Sequence, residues 1–141
     1  MKASEALQLW NQSTPLAVSK VEWDGTTLTI DGPGWGVSTL ETWRVTGSQG
    51  LVAGCFDDHV EKGLAILRKA RFIAVESFTP LDLDLRLRTD DGYFLEIFVA
   101  SSLEPWTASF PGCALCAADP FDKTVVFVDQ WPENKVRHDG K

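Results

Sequence analysis

The chain has 141 residues, 44% of them hydrophobic and 23% charged, with a formal net charge of −7. This is length and apolar content enough for a core without staples. The acidic balance opposes binding to bare nucleic acid or an anionic membrane, both of which need clustered Lys and Arg.

A short helix is predicted over 4–10, with Ser4 as its cap and Leu7 and Trp10 on one face. Strands over 18–23 and 26–30 are joined at Asp24-Gly25, a strong hairpin dipeptide. DGPGWG at 31–36 reads as a turn cluster. Residues 42–46 and 51–55 make a second hairpin across GSQG. A helix over about 57–69 follows. Asp57 or Asp58 is its cap, and Glu61 completes an approximate capping box with Asp58. Val60, Leu64, Ile66 and Leu67 form its apolar face, and Gly63 weakens it by roughly 1 kcal/mol relative to Ala.

The clearest strand is LDLDLRLR at 81–88. Its leucines alternate with Asp82, Asp84, Arg86 and Arg88, which predicts one buried and one solvated face. TDDG turns the chain into YFLEIFV at 93–99, apolar on both faces and therefore central. Residues 106–110 and 113–117 pair around Pro111-Gly112, and 124–128 is a last strand. The polar end, 132–141, reads as a mobile tail. No run approaches the ~20 apolar residues of a membrane span. The start of the chain has no apolar run fit for a secretory leader. Three cysteines, an odd number, do not suit a disulfide framework. Together these place the protein in the cytoplasm.

The hexamers STLETW (38–43) and SSLEPW (101–106) share Ser, Leu, Glu and Trp at matching positions. The match continues through a following strand, a Gly turn and another strand. A near-constant offset is the signature of a duplicated supersecondary unit, about 18–56 and 73–119. The expected fold is α+β: a single domain, 1–141, mainly antiparallel sheet from two related β-meanders, with the 57–69 helix between them. Duplication accounts for the repeat without a binding site. Leu40 and Leu103 are then core residues, and Trp43 and Trp106 pack between sheets.

Cys55, His59, Cys113 and Cys116 supply four soft ligands, the number tetrahedral zinc takes. Positions three apart on a strand face opposite sides, so Cys113 and Cys116 should diverge, and small buried thiols are the plainer reading. A zinc- or thiol-dependent enzyme is thus the weakest option. No nucleophile elbow or phosphate loop is present. The reading is of a protein that is not an enzyme and needs no metal or cofactor.

Six tryptophans are many for this length. Trp35, between Gly34 and Gly36, and Trp131, before Pro132, are expected to be exposed. Exposed aromatics beside carboxylates suit protein contacts, where Trp anchors and charge steers. Trp35, Asp82, Asp84, Asp90, Asp91 and Trp131 are therefore the candidate protein-binding residues, and a basic protein the expected partner. A tryptophan stacked on a sugar ring would instead make a small-ligand or carbohydrate-binding module.

The Asp-Gly hairpin, the E-x-W strand, the capped helix, LDLDLRL, DDG, and E-P-W with a Pro-Gly turn follow in that order over about residues 18–120. In this the chain resembles small bacterial proteins with a duplicated meander, of the acidic immunity-protein type. The resemblance implies a non-enzymatic binder that blocks one toxin. It carries over no functional residues, because immunity proteins share no catalytic motif.

Overall fold

Turn chemistry sets most strand boundaries. Gly25, Gly34, Gly50, Gly92 and Gly112 all have φ between 75° and 109°, and each lies in or borders a hairpin turn. At Pro33-Gly34 the proline presets the first turn position and the glycine takes the positive φ of the second, so Gly32 and Trp35 pair directly.

The computed structural model describes residues 1–79, 83–99, 106–122 and 124–127. In order these form α1 (Ala3–Asn11), β1 (Leu16–Ala17), β2 (Lys20–Trp23), β3 (Leu28–Gly32), β4 (Trp35–Thr39), β5 (Trp43–Gly47), β6 (Gly50–Gly54), α2 (Val60–Arg68), β7 (Arg71–Ser77), β8 (Leu85–Thr89), β9 (Phe94–Ile97), β10 (Thr107–Phe110), β11 (Cys113–Asp119) and β12 (Thr124–Phe127). The fold is α+β and mostly sheet. Two antiparallel sheets of six strands run β12-β11-β10-β4-β3-β2 and β1-β7-β8-β9-β5-β6. No helix among the described residues is long and apolar enough to cross a membrane.

The two sheets share one connection pattern. A three-strand meander (β2-β3-β4 or β7-β8-β9) passes its chain to the opposite sheet. There a hairpin (β5-β6 or β10-β11) pairs beside the third strand of the other meander. Each hairpin closes in the same way: the carbonyl of Trp43 accepts the Cys55 amide at 3.1 Å, and that of Trp106 accepts the Ala118 amide at 3.1 Å. Helix α2 joins the two halves.

The inner faces meet in a shared apolar cluster that includes Ile30, Val37, Leu87, Leu95 and Ile97. Trp35 stands edge-on to Phe72, and Trp23 edge-on to Trp43, across the gap between sheets. Helix α2 packs on β6 and β2, and α1 on β7 and β12. Trp10 of α1 stacks on Phe110 at 5.2 Å. Asn11 fixes α1 to β7: its Oδ1 accepts the Val75 amide at 2.7 Å, and its side-chain amide donates to the Val75 carbonyl.

Several expectations need correction. Helix α2 starts at Val60, three residues after Asp57, and the His59 N-cap position has no side-chain cap bond. The same is true of α1, where Lys2 holds the N-cap position and Ser4 lies inside the helix. The alternating strand runs from Leu85, after a bend at Asp84 whose carboxylate accepts the Val99 amide and the Thr79 hydroxyl, and residues 81 and 82 lie outside the described residues. Leu40 is 55% exposed, since the chain bends out of β4 as it crosses between sheets. Strand β7 is absent from the sequence reading. A bulge between Phe72 and Ala74 breaks its alternation and turns Ile73 outward. Leu103 and the tail 132–141 lie outside the described residues.

Candidate protein-binding site

The structure distributes the candidate binding residues unevenly. Trp35 is buried, at 4% exposure. At the start of β4 it pairs with Gly32 of β3, faces the core, and donates its indole N–H to the Ala17 carbonyl at 2.8 Å. The flanking glycines that suggest exposure belong to a hairpin turn and to a strand position beneath Asp31. A cleft of about 160 Å³ opens beside it, walled by Ser13, Pro15, Pro33 and Pro111, but offers no open indole face for a sugar ring.

Asp84 is likewise buried, not solvated. Its Oδ1 accepts the Val99 amide at 2.6 Å and its Oδ2 the Thr79 hydroxyl at 2.9 Å. Asp90 and Asp91 are exposed on the β8–β9 turn, where Asp91 accepts the Thr89 hydroxyl at 2.6 Å. Between Trp35 and this turn stands Phe72, which is edge-on to Trp35 and pairs with Thr89. Asp82 and Trp131 lie outside the described residues.

The cysteines do not converge on His59. Cys55 leaves β6 in one sheet, while Cys113 and Cys116 sit on β11 in the other, and His59 is exposed. Cys113 and Cys116 nevertheless share the inner face, contrary to the expected divergence. A bulge sets Phe110 opposite Cys113 and Ala108 opposite Cys116, and the extra residue restores the inward direction. Among the described residues no group of three His, Cys, Asp or Glu side chains is placed to hold a metal ion.

One end of the molecule does join aromatic surface to negative charge. Trp23 ends β2 half-buried, its ring 5.3 Å from that of Trp43 and nearly perpendicular to it. Phe56 lies 6.5 Å from Trp23, ring centre to ring centre, and is 78% exposed. Phe56 thus extends the half-buried Trp23 ring into an exposed aromatic pair at this end.

Each of these rings is followed in the chain by a carboxylate that the backbone holds. Asp24 Oδ1 accepts the amides of Thr26 at 2.8 Å and Thr27 at 2.7 Å. Asp57 accepts the Gly54 amide at 2.7 Å on one oxygen and the His59 amide at 2.7 Å on the other. Both carboxyls are held below the usual aspartate value of 3.8, Asp24 chiefly by the Thr27 amide and Asp57 chiefly by the Gly54 amide. Asp58 and Glu61 are also exposed there, Glu61 paired with Arg68 at 2.5 Å.

The sequence criterion of an aromatic beside a carboxylate fits Trp23-Asp24 and Phe56-Asp57 better than it fits Trp35. Trp23 reads as an ordinary strand residue, and Phe56 sits between a strand and a helix start, so neither draws notice until the fold brings them together. No family model matches the chain, and neither a curated protein nor a solved structure matches it.

Proposed function

We propose that this chain is a non-catalytic protein-binding module whose Trp23–Phe56 end meets a basic partner. Its scaffold is one we read as a single unit used twice. The observation that carries this reading is Phe56. It is 78% exposed, rests against Trp23, and lies beside Asp24 and Asp57, whose carboxyls the backbone amides hold in the ionised form. A ring of this kind fills a pocket on a partner, and fixed negative charge beside it attracts Lys and Arg and sets the approach. The net charge of −7 acts in the same sense at longer range. An immunity-type inhibitor of a basic toxin is the specific form of this function, carried by the resemblance of the sequence.

A photo-crosslinking residue placed at 56, in the protein expressed in its own host, tests it. Phe121 is equally exposed at 78% and serves as the control position. One basic protein should be captured from 56 and not from 121, with yield falling as salt is raised and lost in Asp57→Asn/Asp58→Asn. Equal capture at both positions, or capture indifferent to salt, refutes the reading.

A further inference from the structure

In each sheet the third strand of a meander is flanked by its own second strand and by the first strand of the visiting hairpin. Arg44 and Thr107 each follow the tryptophan that closes its hairpin, which aligns the two outer faces row by row. Across β8, β9 and β5 one row is Arg86, Glu96 and Arg44, and the next is Arg88, Phe94 and Thr46. Both arginines of the first row donate to Glu96, at 2.8 Å and 2.7 Å, and Arg86 also lies 5.1 Å from the centre of the Phe94 ring. Side chains fill this face and satisfy one another.

Across β3, β4 and β10 the corresponding rows are Thr29, Ser38 and Thr107, then Asp31, Gly36 and Ser109. Where one sheet sets a phenyl ring, the other sets no side chain at all. A hollow of about 130 Å³ results, lined by these residues and by Leu115, which is 40% exposed. Gly36 has no positive φ that would demand glycine. Glycine inside a strand marks a place where something approaches the backbone closely. A Cβ on Gly36 would stand 2.7 Å from Asp31 Oδ1 and 3.7 Å from Ser109 Oγ. The carboxylate from β3 and the hydroxyl from β10 thus converge on one point above β4.

Most of these oxygens are not spent on the fold. Thr29 and Ser38 share one hydrogen bond at 3.3 Å. The side chains of Asp31, Thr107 and Ser109 make none among the described residues. Lys20, opposite Asp31 in register, pairs with Glu22 at 3.2 Å. The hollow therefore holds one carboxylate in a wall of neutral hydroxyls.

We propose that this hollow binds adjacent hydroxyl groups of a single sugar ring. Its volume of about 130 Å³ is well under the roughly 300–1,000 Å³ of sites for larger ligands, and suits one six-membered ring, the shape that Phe94 places in the corresponding position. The lining sets the chemistry. Serine and threonine hydroxyls both donate and accept, whereas a carboxylate only accepts. A vicinal diol can donate to Asp31, in the stronger charge-assisted kind of bond, and exchange hydrogen bonds with Thr107 and Ser109. Leu115 offers an apolar edge to the C–H side of the ring. Asp31 repels an anion, and among the described residues no group of three His, Cys, Asp or Glu side chains is placed to hold a metal ion. The hollow shares no residue with the Trp23–Phe56 end, so it stands without that assignment.

The test is an NMR titration of the backbone amides with the methyl pyranosides of glucose, mannose and galactose and with myo-inositol. At least one of these should shift the amides of Gly36, Ser38 and Ser109 saturably, with a millimolar dissociation constant. Cyclohexanol, a ring of the same size with a single hydroxyl, should leave them unmoved. Asp31→Asn should weaken binding by roughly tenfold, the equivalent of about 1.4 kcal/mol. An unchanged melting temperature in that variant shows that the loss is not one of folding. Silence towards every probe overturns the proposal, as does binding that Asp31→Asn leaves intact. Equal shifts from cyclohexanol would mark a plain apolar dent, and shifts from ammonium or calcium chloride as strong as those of the sugars would mark a cation site. Either result also overturns it.

Discussion

Arg86 meets Glu96 across adjacent strands with 2.8 Å between Nε and Oε2, on the sheet face opposite the buried Leu85, Leu87, Leu95 and Ile97. A carboxylate 2% exposed cannot be left to water if a partner is removed. Arg86→Met should therefore cost about 2 kcal/mol, less than the loss from a wholly buried pair because Arg86 is itself partly exposed. Glu96→Gln should cost less than Arg86→Met, since it removes the buried charge and leaves two arginines that reach solvent. Urea unfolding of both variants gives the order. The reverse order would mean that the arginines, not the carboxylate, are the groups needing compensation.

Trp43 and Trp106 occupy matching places, yet their indoles differ. Trp106 donates its N–H to the Leu83 carbonyl at 3.0 Å, whereas Trp43 Nε1 is buried with no hydrogen-bond partner among the described residues. Replacing each with Phe opens a similar void. Only Trp106→Phe also strands a buried carbonyl, at about 1 kcal/mol. Trp43→Phe relieves a desolvated donor instead. Thermal denaturation should show Trp106→Phe as the more damaging, and equal losses would contradict the difference.

Gly63 lies in α2 where Ala is normally favoured by ~1 kcal/mol. Here a Cβ would sit 3.1 Å from Ala53 Cβ and 3.3 Å from Val45 Cγ2. Ala53 has no rotamer with which to yield, and Val45 is fully buried on a central strand. Overpacking of this kind costs ~1–3 kcal/mol. Gly63→Ala should thus destabilise by about 1 kcal/mol despite its better helix propensity. A rise in stability would show that α2 can move off β6.

Asp24 and Asp57 have folded-state acidities below the ordinary 3.8. A depressed carboxyl contributes stability above its unfolded value and loses it as pH falls through the folded one. Stability should be level from neutral pH to about 5 and decline below about 4, whereas an aspartate equally acidic in the folded and unfolded chain contributes no change. Asp24→Asn and Asp57→Asn should each lower stability near neutrality, where the ionised carboxyl contributes, and make the acid decline shallower. Both groups are exposed, so salt should reduce the effect.

Much of the local structure is legible in the residues. Asp24-Gly25, Asp91-Gly92 and Pro111-Gly112 mark turns because each supplies a glycine for positive φ, and the Leu85–Leu87 alternation marks a buried face. The surface clusters are less so. Glu96 hides in a run that reads as apolar on both faces, and its meaning lies in Arg44 and Arg86, which only register brings beside it. Trp35 and Asp84 look solvated in sequence because the strand and loop that absorb them are assembled from distant segments.

The amino-acid order by itself determined where the chain turns and which residues alternate inward, because φ/ψ preferences and the two-residue strand period act between near neighbours. Tertiary structure alone decided that each hairpin would cross to the opposite sheet, that Cys113 and Cys116 would share a face, and that Phe56 would come to rest against Trp23. Those outcomes depend on which strands pair and where a bulge shifts the register, and pairing is settled by burial of the whole core, not by any short stretch.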